Sequence, residues 1–384
     1  MSPNAMPDRR AGESSKAFTP VDQSRNLANK RLVQAAWGDL TLAPVEQLDR
    51  VLAAVYSEDA DFHGTHPVND LNGPDAIRRE FLEPLRLALP DVERREGILA
   101  GGVYQGRKLV ACYGHYLGTF AEDWFDIPAT QQILNVRFCE CHEVLDGKIR
   151  RSYVFIDYLD VMRQAGYWPL APSLGREGVW QHPMTRDGVL LTPQDEATSR
   201  RSLDLVMAMQ SAMTWYGGGA PTRANLDDMQ QRRFWHPWML WYGPAGIGST
   251  RGLANYEQYH QIPFLVAFPD RGKLQGAGYS GHFIRIGDGD YAVTGGWGHL
   301  LATHTGVDWL GLAPTNRVVN MRVMDFYRCD TDEAGVTTLR ENWVPIDIPH
   351  LLLQMGVDVF GRMRHQFRQR GAISASDFLL RDPA

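Results

Sequence analysis

Gly73–Asp91 reads GPDAIRREFLEPLRLALPD, and Gly252–Asp270 reads GLANYEQYHQIPFLVAFPD, at a distance of 179 residues along the chain. The two stretches share their first glycine, an internal proline and a final Pro-Asp pair. Both place apolar residues at helical spacing between a glycine and a proline, which predicts the same helix twice. The chain therefore contains one fold in two copies.

The correspondence continues in the same order downstream. It joins Gly114-His115 with Gly298-His299, Asp123-Trp124 with Asp308-Trp309, and Asn135-x-Arg137 with Asn320-x-Arg322. Both copies end in the pattern D-x6-Q-x-G, which begins at Asp157 and at Asp347. The offset grows along the chain, as insertions in loops would produce.

Composition limits the classes of protein to be considered. The chain has 384 residues, of which 44% are hydrophobic and 22% charged, as in soluble globular proteins. A net charge of -6 argues against a nucleic-acid partner, and no apolar run reaches the roughly 20 residues that a membrane span needs. The four cysteines form no CxxC framework, so we expect reduced, buried thiols and a cytoplasmic location.

The order of predicted elements divides the chain into two similar domains. Each half begins with helices and then becomes rich in strands, which indicates an α+β fold with mostly antiparallel sheets. The predicted divisions are a disordered leader (1–24), a first domain (25–170), a connector (171–199), a second domain (200–370) and a tail (371–384). The predicted strands after the Pro-Asp pairs are 93–105, 108–119, 131–144 and 148–157, then 273–286, 291–304, 317–329 and 336–347.

The second half carries a series of short motifs. It reads Ala302-Thr303-His304-Thr305-Gly306, then Leu312-Ala313-Pro314-Thr315, then Asp325, then Glu341-Asn342-Trp343-x3-Asp347. This order resembles the SnoaL-like polyketide cyclases, with their G-T-H-x-G motif, an acidic strand position and a final E-x-W-x3-D strand. The first half has Phe120 where the motif histidine would stand, so the second half looks closer to an active pocket.

The resemblance implies a fold and an assembly. SnoaL-like proteins are cone-shaped α+β barrels of the nuclear-transport-factor and ketosteroid-isomerase type, and they commonly pair through the open face of the curved sheet. A tandem fusion would make that contact within one chain, as an intrachain pseudo-dimer. Whether this pair assembles further into a homo-oligomer is left open.

The candidate catalytic residues are Asp347, Asp157 and His304. Alternation along a strand would place Asp347 on one concave face with Trp343, where aromatic neighbours would raise its pKa toward that of a general base. The resemblance implies that this aspartate acts in a metal-free aldol ring closure, so no cofactor is expected. The alternative is a helix N-cap, because Asp347 directly precedes Ile348-Pro349.

The candidate ligand-binding residues come from matching strands of the two halves. They are His299, Trp297, Trp343 and Asp325 in the second half, and His115, Tyr153 and Glu140 in the first. His115 and His299 are interpreted as matching positions. Regular alternation would put His299 and His304 on opposite faces of a strand unless a bulge intervenes. Glu140 and Asp325 also correspond, and for them a pocket carboxylate and an ion pair are both open.

These residues favour a cofactor-independent acid/base catalyst, polyketide cyclase- or isomerase-like, acting on a bulky apolar carbonyl compound. Because an ordinary aspartate is a weak base, that compound must have a doubly activated carbon and the pocket must polarise a carbonyl. One alternative is a non-catalytic small-molecule binding protein of the same fold. Another is an epoxide hydrolase-like or dehydratase-like enzyme, for which strand alternation makes Arg322 an awkward member of an Asp-Arg-Asp cluster.

Overall fold

A computed structural model describes residues 18–216, 220–274, 276 and 280–372. Residues 1–17 of the predicted leader and 373–384 of the predicted tail lie outside the described residues. Two six-stranded sheets follow one another along the chain, and each sheet carries its own helices.

The two sheets have the same strand order. The first contains β1 (Tyr56–Gly64), β2 (Asp70–Asn72), β3 (Glu93–Tyr104), β4 (Arg107–Thr119), β5 (Ile133–Leu145) and β6 (Lys148–Ile156), in the order β2-β1-β6-β5-β4-β3. The second contains β7 (Trp235–Tyr242), β8 (Thr250–Arg251), β9 (Ile284–Asp288), β10 (Tyr291–Thr303), β11 (Val318–Thr331) and β12 (Thr337–Trp343), in the order β8-β7-β12-β11-β10-β9. β1–β6 and β7–β12 are parallel pairs and the other neighbours are antiparallel. The predicted tandem α+β fold is confirmed.

The helices repeat as well. Those of the first half are Gln23–Leu42, Leu48–Val55, Gly73–Ile77, Glu83–Ala88 and Tyr158–Gln164. Those of the second half are Glu196–Met213, Arg223–Asp228, Leu253–Tyr256, Ile262–Ala267, Ile348–Gln354 and Val359–Ala372. The first helix of each half is capped by an aspartate whose carboxylate accepts backbone N–H groups, Asp22 and Asp195.

The duplicated stretch folds in the same irregular way in both halves. A five-residue π-helical turn, Arg78–Leu82 in the first half and Glu257–Gln261 in the second, interrupts the helix just before Pro84 and Pro263. Proline has no N–H to continue the α-helical ladder, and the wider turn accommodates it. The shared proline therefore marks a shared local structure.

The predicted strand 273–286 begins later in the structure, and its residues 275 and 277–279 lie outside the described residues. β9 covers only Ile284–Asp288, whereas its counterpart β3 has 12 residues. The predicted last strand, 336–347, also ends early, at Trp343. Both differences change the surroundings of the candidate site residues.

Each sheet has one face toward its own helices and the opposite face toward the other half. The Tyr153 and Phe283 rings stack with centroids 3.8 Å apart across this junction, and Tyr113 lies 5.4 Å from Trp343. Gly102 leaves room for Ile286, because a Cβ atom at Gly102 would lie 2.8 Å from that side chain. The two open sheet faces therefore bury each other.

The connector between the halves packs into this junction. Trp180 Nε1 donates a hydrogen bond to the Gly243 carbonyl at 2.7 Å. The Gln181 carbonyl accepts hydrogen bonds from Trp343 Nε1 at 2.8 Å and from the Tyr113 hydroxyl at 3.0 Å. The connector thus contacts both sheets rather than hanging free between them.

A buried ion pair also joins the halves. Lys30 Nζ lies 2.8 Å from Asp288 Oδ2, and both side chains are 1% exposed. The same oxygen accepts the backbone N–H of Gly101 at 2.8 Å. Burial raises the pKa of Asp288, while Lys30 and the Gly101 N–H act against that rise. Without Lys30 a charged Asp288 would be uncompensated.

We expect Lys30→Met to lower the free energy of unfolding by about 3–5 kcal/mol, because it leaves a buried charge without its partner. The double variant Lys30→Met/Asp288→Asn should regain most of this loss, because the amide that replaces the carboxylate carries no charge. Urea unfolding measures both. The control is Arg79→Met, which removes an exposed pair with Asp75; a loss in Lys30→Met no larger than in this control would contradict the account.

Candidate functional site

The interior of the first cone is filled by an ion-pair network around Glu140. Arg94 Nη2 donates to Glu140 Oε2 at 2.7 Å, and the Tyr116 hydroxyl donates to Oε1 at 2.9 Å. Burial alone would raise the pKa of Glu140, but Arg94 and a hydrogen bond with His142 bring it to about 2. Glu140 is 0% exposed, so it has no free surface for a ligand.

The network continues through side chains that are also buried. His142 Nδ1 and Ser152 Oγ are 2.8 Å apart, and Ser152 Oγ lies 2.9 Å from the Tyr56 hydroxyl. The Trp37 ring packs against His142 with centroids 5.2 Å apart. The first cone is therefore closed by paired polar groups and aromatic rings.

The same positions of the second cone hold smaller or different side chains. Counted from the caps Asp22 and Asp195, Gln210 stands in the place of Trp37. The strand registers put Leu300 in the place of Tyr116, Val323 in that of Phe138, Tyr327 in that of His142 and Asn342 in that of Ser152. Because β9 begins only at Ile284, no strand residue corresponds to Arg94. The second cone therefore lacks the large side chains that fill the first cone, and no described strand residue takes the place of Arg94.

Asp325, the counterpart of Glu140, faces this space. Protein atoms surround it, yet the residue stays partly accessible to solvent. Asn342 Nδ2 approaches Oδ1 at 3.5 Å. Burial raises the pKa of Asp325 to about 7, against hydrogen bonds from Asn342 and Tyr327 that lower it. Near neutral pH this carboxyl can therefore both accept and return a proton.

Polar and aromatic groups surround Asp325. Gln210 Nε2 donates to Thr294 Oγ1 at 3.0 Å and to the Tyr327 hydroxyl at 3.3 Å. The His260 ring stacks on Trp241 with centroids 4.0 Å apart. Burial lowers the pKa of His260 to about 3, so its imidazole is neutral and can donate a hydrogen bond without charge. This combination can orient and polarise a carbonyl compound.

Asp347 lies elsewhere, at the junction of the halves. Its Oδ1 accepts the His350 N–H at 3.1 Å, and its Oδ2 accepts the His66 N–H at 3.0 Å and Arg322 Nη1 at 3.1 Å. Burial raises the pKa of Asp347 to about 6, although Arg322 lowers it. Asp347 is 1% exposed, and it caps the helix Ile348–Gln354, as the alternative N-cap interpretation predicts.

Asp157 has the equivalent arrangement in the first half. It lies 2.8 Å from Arg137 Nη2, and it accepts the N–H of Asp160 at 3.1 Å and that of Ala245 at 2.9 Å. Ala245 follows β7 as His66 follows β1. Each terminal aspartate therefore joins its own helix to a loop of the other half.

Two inferences from strand alternation are wrong. Trp343 and Tyr153 lie on the sheet faces that meet at the junction, rather than on a concave pocket face. Arg322 does reach Asp347, because the chain leaves the strand after Trp343 and alternation no longer applies. The hydrogen-bonding capacity of Asp347 is therefore used within the protein.

The matching of His115 with His299 is also wrong. β10 has a bulge between Trp297 and Leu300, and the residue opposite Arg322 is Trp297, as His115 is opposite Arg137. His299 lies in this bulge. The bulge that would break regular alternation between His299 and His304 is therefore present. The Arg322 guanidinium lies 4.4 Å from the Trp297 ring, at the junction.

The remaining candidate histidines lie outside the second cone's polar cluster. His304 is 0% exposed, packs 5.5 Å from Phe268, and has Nδ1 3.2 Å from Thr315 Oγ1. His115 stacks on His182 of the connector at 5.6 Å, and burial lowers its pKa to about 3. Of the predicted site residues, Asp325 alone faces the partly accessible space of the second cone in the part of the chain that the structure describes.

Sequence reasoning missed the residues that accompany Asp325. They are Gln210, His260, Thr294, Asn342 and Tyr327. A signal was present for His260, which stands opposite Phe81 at the 179-residue offset, whereas Gln210 stands opposite Trp37 only when the halves are counted from the caps Asp22 and Asp195. A polar residue replacing an aromatic one inside a cone indicates a pocket.

The described ranges contain neither a metal-binding cluster nor a membrane-spanning helix. Among residues 18–216, 220–274, 276 and 280–372, no three His, Cys, Asp or Glu side chains are grouped so as to hold a metal ion. No helix within these ranges is long and apolar enough to cross a membrane.

Comparison with known proteins identifies the family of the first half. Residues 41–165 match the model of the SnoaL-like polyketide cyclase family. A comparison with curated proteins finds no match. Among solved structures, a protein of Jannaschia sp. CCS1 assigned to the SnoaL-like polyketide cyclases is 17% identical, with a TM-score of 0.31, over 40% of this chain and 96% of its own. A SnoaL-like polyketide cyclase of Agrobacterium tumefaciens is 19% identical, with a TM-score of 0.28, over 36% of this chain and 97% of its own.

The raised pKa of Asp325 predicts how stability depends on pH. Between about pH 4 and 7 the folded state holds a proton on Asp325 that the unfolded state releases, so stability falls as pH rises through this window. Asp325→Asn removes this penalty. Relative to wild type, the variant should gain about 1.4 kcal/mol between pH 5 and pH 8, roughly half of the full value for the two pKa units between pH 5 and pH 7, because Asp325 keeps some access to water. Urea unfolding at both pH values at constant ionic strength measures this gain, and an equal difference at both would contradict the raised pKa.

Proposed function

We propose that this chain is a cofactor-independent acid/base catalyst, cyclase- or isomerase-like, because its sequence and fold resemble those of the SnoaL-like polyketide cyclases. Its substrate is a bulky apolar carbonyl compound. The observation that supports this most is Asp325, a carboxyl with a pKa of about 7 in a partly accessible cone whose counterpart is closed. Asp325 is proposed as the acid/base group, in place of Asp347.

The proposed reaction begins at a carbon between two carbonyl groups. The Asp325 carboxylate removes a proton from that carbon, and the electrons of the C–H bond form an enolate. Raising the pKa of the base from about 4 to about 7 makes this transfer easier by about 4 kcal/mol. The neutral His260 can donate a hydrogen bond to the enolate oxygen and stabilise its charge.

Ring closure or isomerisation then returns the proton. In a cyclase, the enolate carbon attacks a second carbonyl carbon of the same molecule, a C–C bond forms, and the oxygen of that carbonyl takes the proton from Asp325. In an isomerase, the proton returns to another carbon of the enolate system. No redox step is required, so no electron acceptor is needed in either version.

The walls of the second cone suit a large apolar substrate. Trp241, Tyr256 and Phe264 lie around His260, with ring centroids between 4.0 and 5.9 Å from it. Aromatic walls exclude water and strengthen the electrostatic interactions within. The four cysteines are free and buried, which fits the cytoplasmic location that we also propose.

Asp325→Asn should reduce kcat by about 10²- to 10⁴-fold while ligand binding persists, because the amide cannot accept the proton. A panel of polycyclic β-keto esters serves as substrate, with product formation followed by chromatography and binding by calorimetry. The matched controls are Asp347→Asn and Glu140→Gln, which change the buried carboxylates of the junction and the first cone. Loss of kcat in Asp347→Asn, with Asp325→Asn fully active, would contradict the assignment.

Gln210→Trp should close the second cone as Trp37 closes the first. We expect the affinity for any β-keto ester that binds the wild type to fall by at least about 10-fold, with circular dichroism unchanged. The control is Gln258→Trp, at an exposed position of the π-helical turn. Unchanged affinity in Gln210→Trp would place the ligand elsewhere.

Binding without turnover is the second candidate function. The closed first cone favours it, because one half of this chain already serves as a folded unit without an accessible pocket. In that case wild type and Asp325→Asn would bind the same β-keto esters equally and convert none.

A further inference from the structure

Arg271 is a partly buried cation beside the second cone. It follows the helix Ile262–Ala267, and its guanidinium lies 5.8 Å from the Tyr216 ring centroid. Its Nη2 lies 4.0 Å from Met229 Sδ, and its Nε is buried without a hydrogen-bond partner in the described part of the chain. Burial lowers the pKa of Arg271, which reflects the cost of keeping its charge there.

Arg271 lacks the partner that comparable arginines have. Buried or nearly buried arginines pair with carboxylates elsewhere, as in Arg94–Glu140, Arg137–Asp157, Arg322–Asp347 and Arg328–Glu341. No carboxylate of the described residues forms an ion pair with Arg271. The sequence of the undescribed internal positions, 217–219, 275 and 277–279, contains no acidic residue either.

The charges of Arg271 and Asp325 both affect the pKa of Tyr256 in the second cone. Burial raises the pKa of Tyr256, Asp325 and Glu257 raise it further, and Arg271 lowers it. The Tyr256 ring packs against Trp241 at 5.6 Å and against His260 at 5.3 Å. Arg271 also lowers the pKa of His260, after burial. The cation and the carboxyl thus lie within electrostatic reach of one wall of aromatic rings.

We propose that Arg271 binds an anionic group of the ligand, a carboxylate or an equivalent oxyanion, while the carbon acid of that ligand faces Asp325. This rests on the function proposed above and narrows its substrate class to bulky apolar carbonyl compounds that carry one negative charge. A cation that is partly buried and has no ion-pair partner destabilises the protein, and an anion that enters the pocket offsets this cost. The planar guanidinium can donate two parallel hydrogen bonds to such a group.

A matched pair of fluorescent probes tests the charge preference. 1-Anilinonaphthalene-8-sulfonate carries a sulfonate, and N-phenyl-1-naphthylamine has the same ring system without it. Titration should show that the full chain binds the sulfonate at least about 10-fold more tightly than the neutral probe. In Arg271→Gln the two affinities should come within about 2-fold of each other, with that for the neutral probe unchanged. Arg271→Lys should keep part of the preference.

Control variants test whether the charge preference depends on Arg271 and on the second cone. Arg232→Gln changes an exposed arginine and should keep the wild-type preference. Gln210→Trp should weaken both probes, which ties them to the second cone. Because only binding is measured, failure of the acid/base proposal would leave this result unaffected. The inference is overturned if Arg271→Gln keeps the wild-type preference, if wild type shows none, or if neither probe binds.

Stability provides a second readout. Arg271→Met should raise the melting temperature of the ligand-free protein by a few degrees, because it removes an uncompensated, partly buried charge of the kind that binding sites retain. A purely structural arginine would give the opposite sign. A lower melting temperature in Arg271→Met, measured by differential scanning calorimetry, would therefore count against ligand binding by Arg271.

Discussion

The structure depends on the burial of one apolar sheet face against another. Each six-stranded sheet has helices on only one side, and its other face carries large aromatic residues such as Tyr153 and Trp343. Left in water, such a face would be a large exposed apolar patch. Fusion of two copies covers both faces at once, and the Lys30–Asp288 pair and the two terminal aspartates fix how the faces meet. The aspartates that resemble catalytic groups in sequence thus hold the halves together.

Duplication allowed the two cones to diverge. In the first, Arg94 compensates Glu140, and Trp37, Tyr116 and Phe138 pack around that pair. In the second, no described cation forms an ion pair with Asp325, so burial destabilises its charged form and raises its pKa. Such a group lowers stability, and proteins keep such groups where function needs them. The closed half can supply the stability that the open half lacks.

The sequence predicted the duplication, the α+β class and most strands because these follow from repeated motifs and alternation. Asp146 and Gly147, both at positive φ, join β5 to β6 in the tight hairpin that an Asp-Gly pair favours. The sequence could not show that β9 would be short or that β10 would bulge, since neither follows from local preference. The assignment of Asp347 to a concave face failed because the chain leaves the strand at Trp343.

For the site, the sequence identified Asp325 and Glu140 as corresponding carboxylates but could not separate them. The difference lies in Arg94, which is distant in sequence and is absent from the second cone because β9 is short. Only the three-dimensional structure shows that Glu140 has an ion-pair partner and that Asp325 has none among the described residues. Crystals soaked with a polycyclic β-keto ester would test this contrast most directly. The account predicts ligand density beside Asp325 and His260 with none in the first cone, and density beside Asp347 and Arg322, or around Glu140, would contradict it.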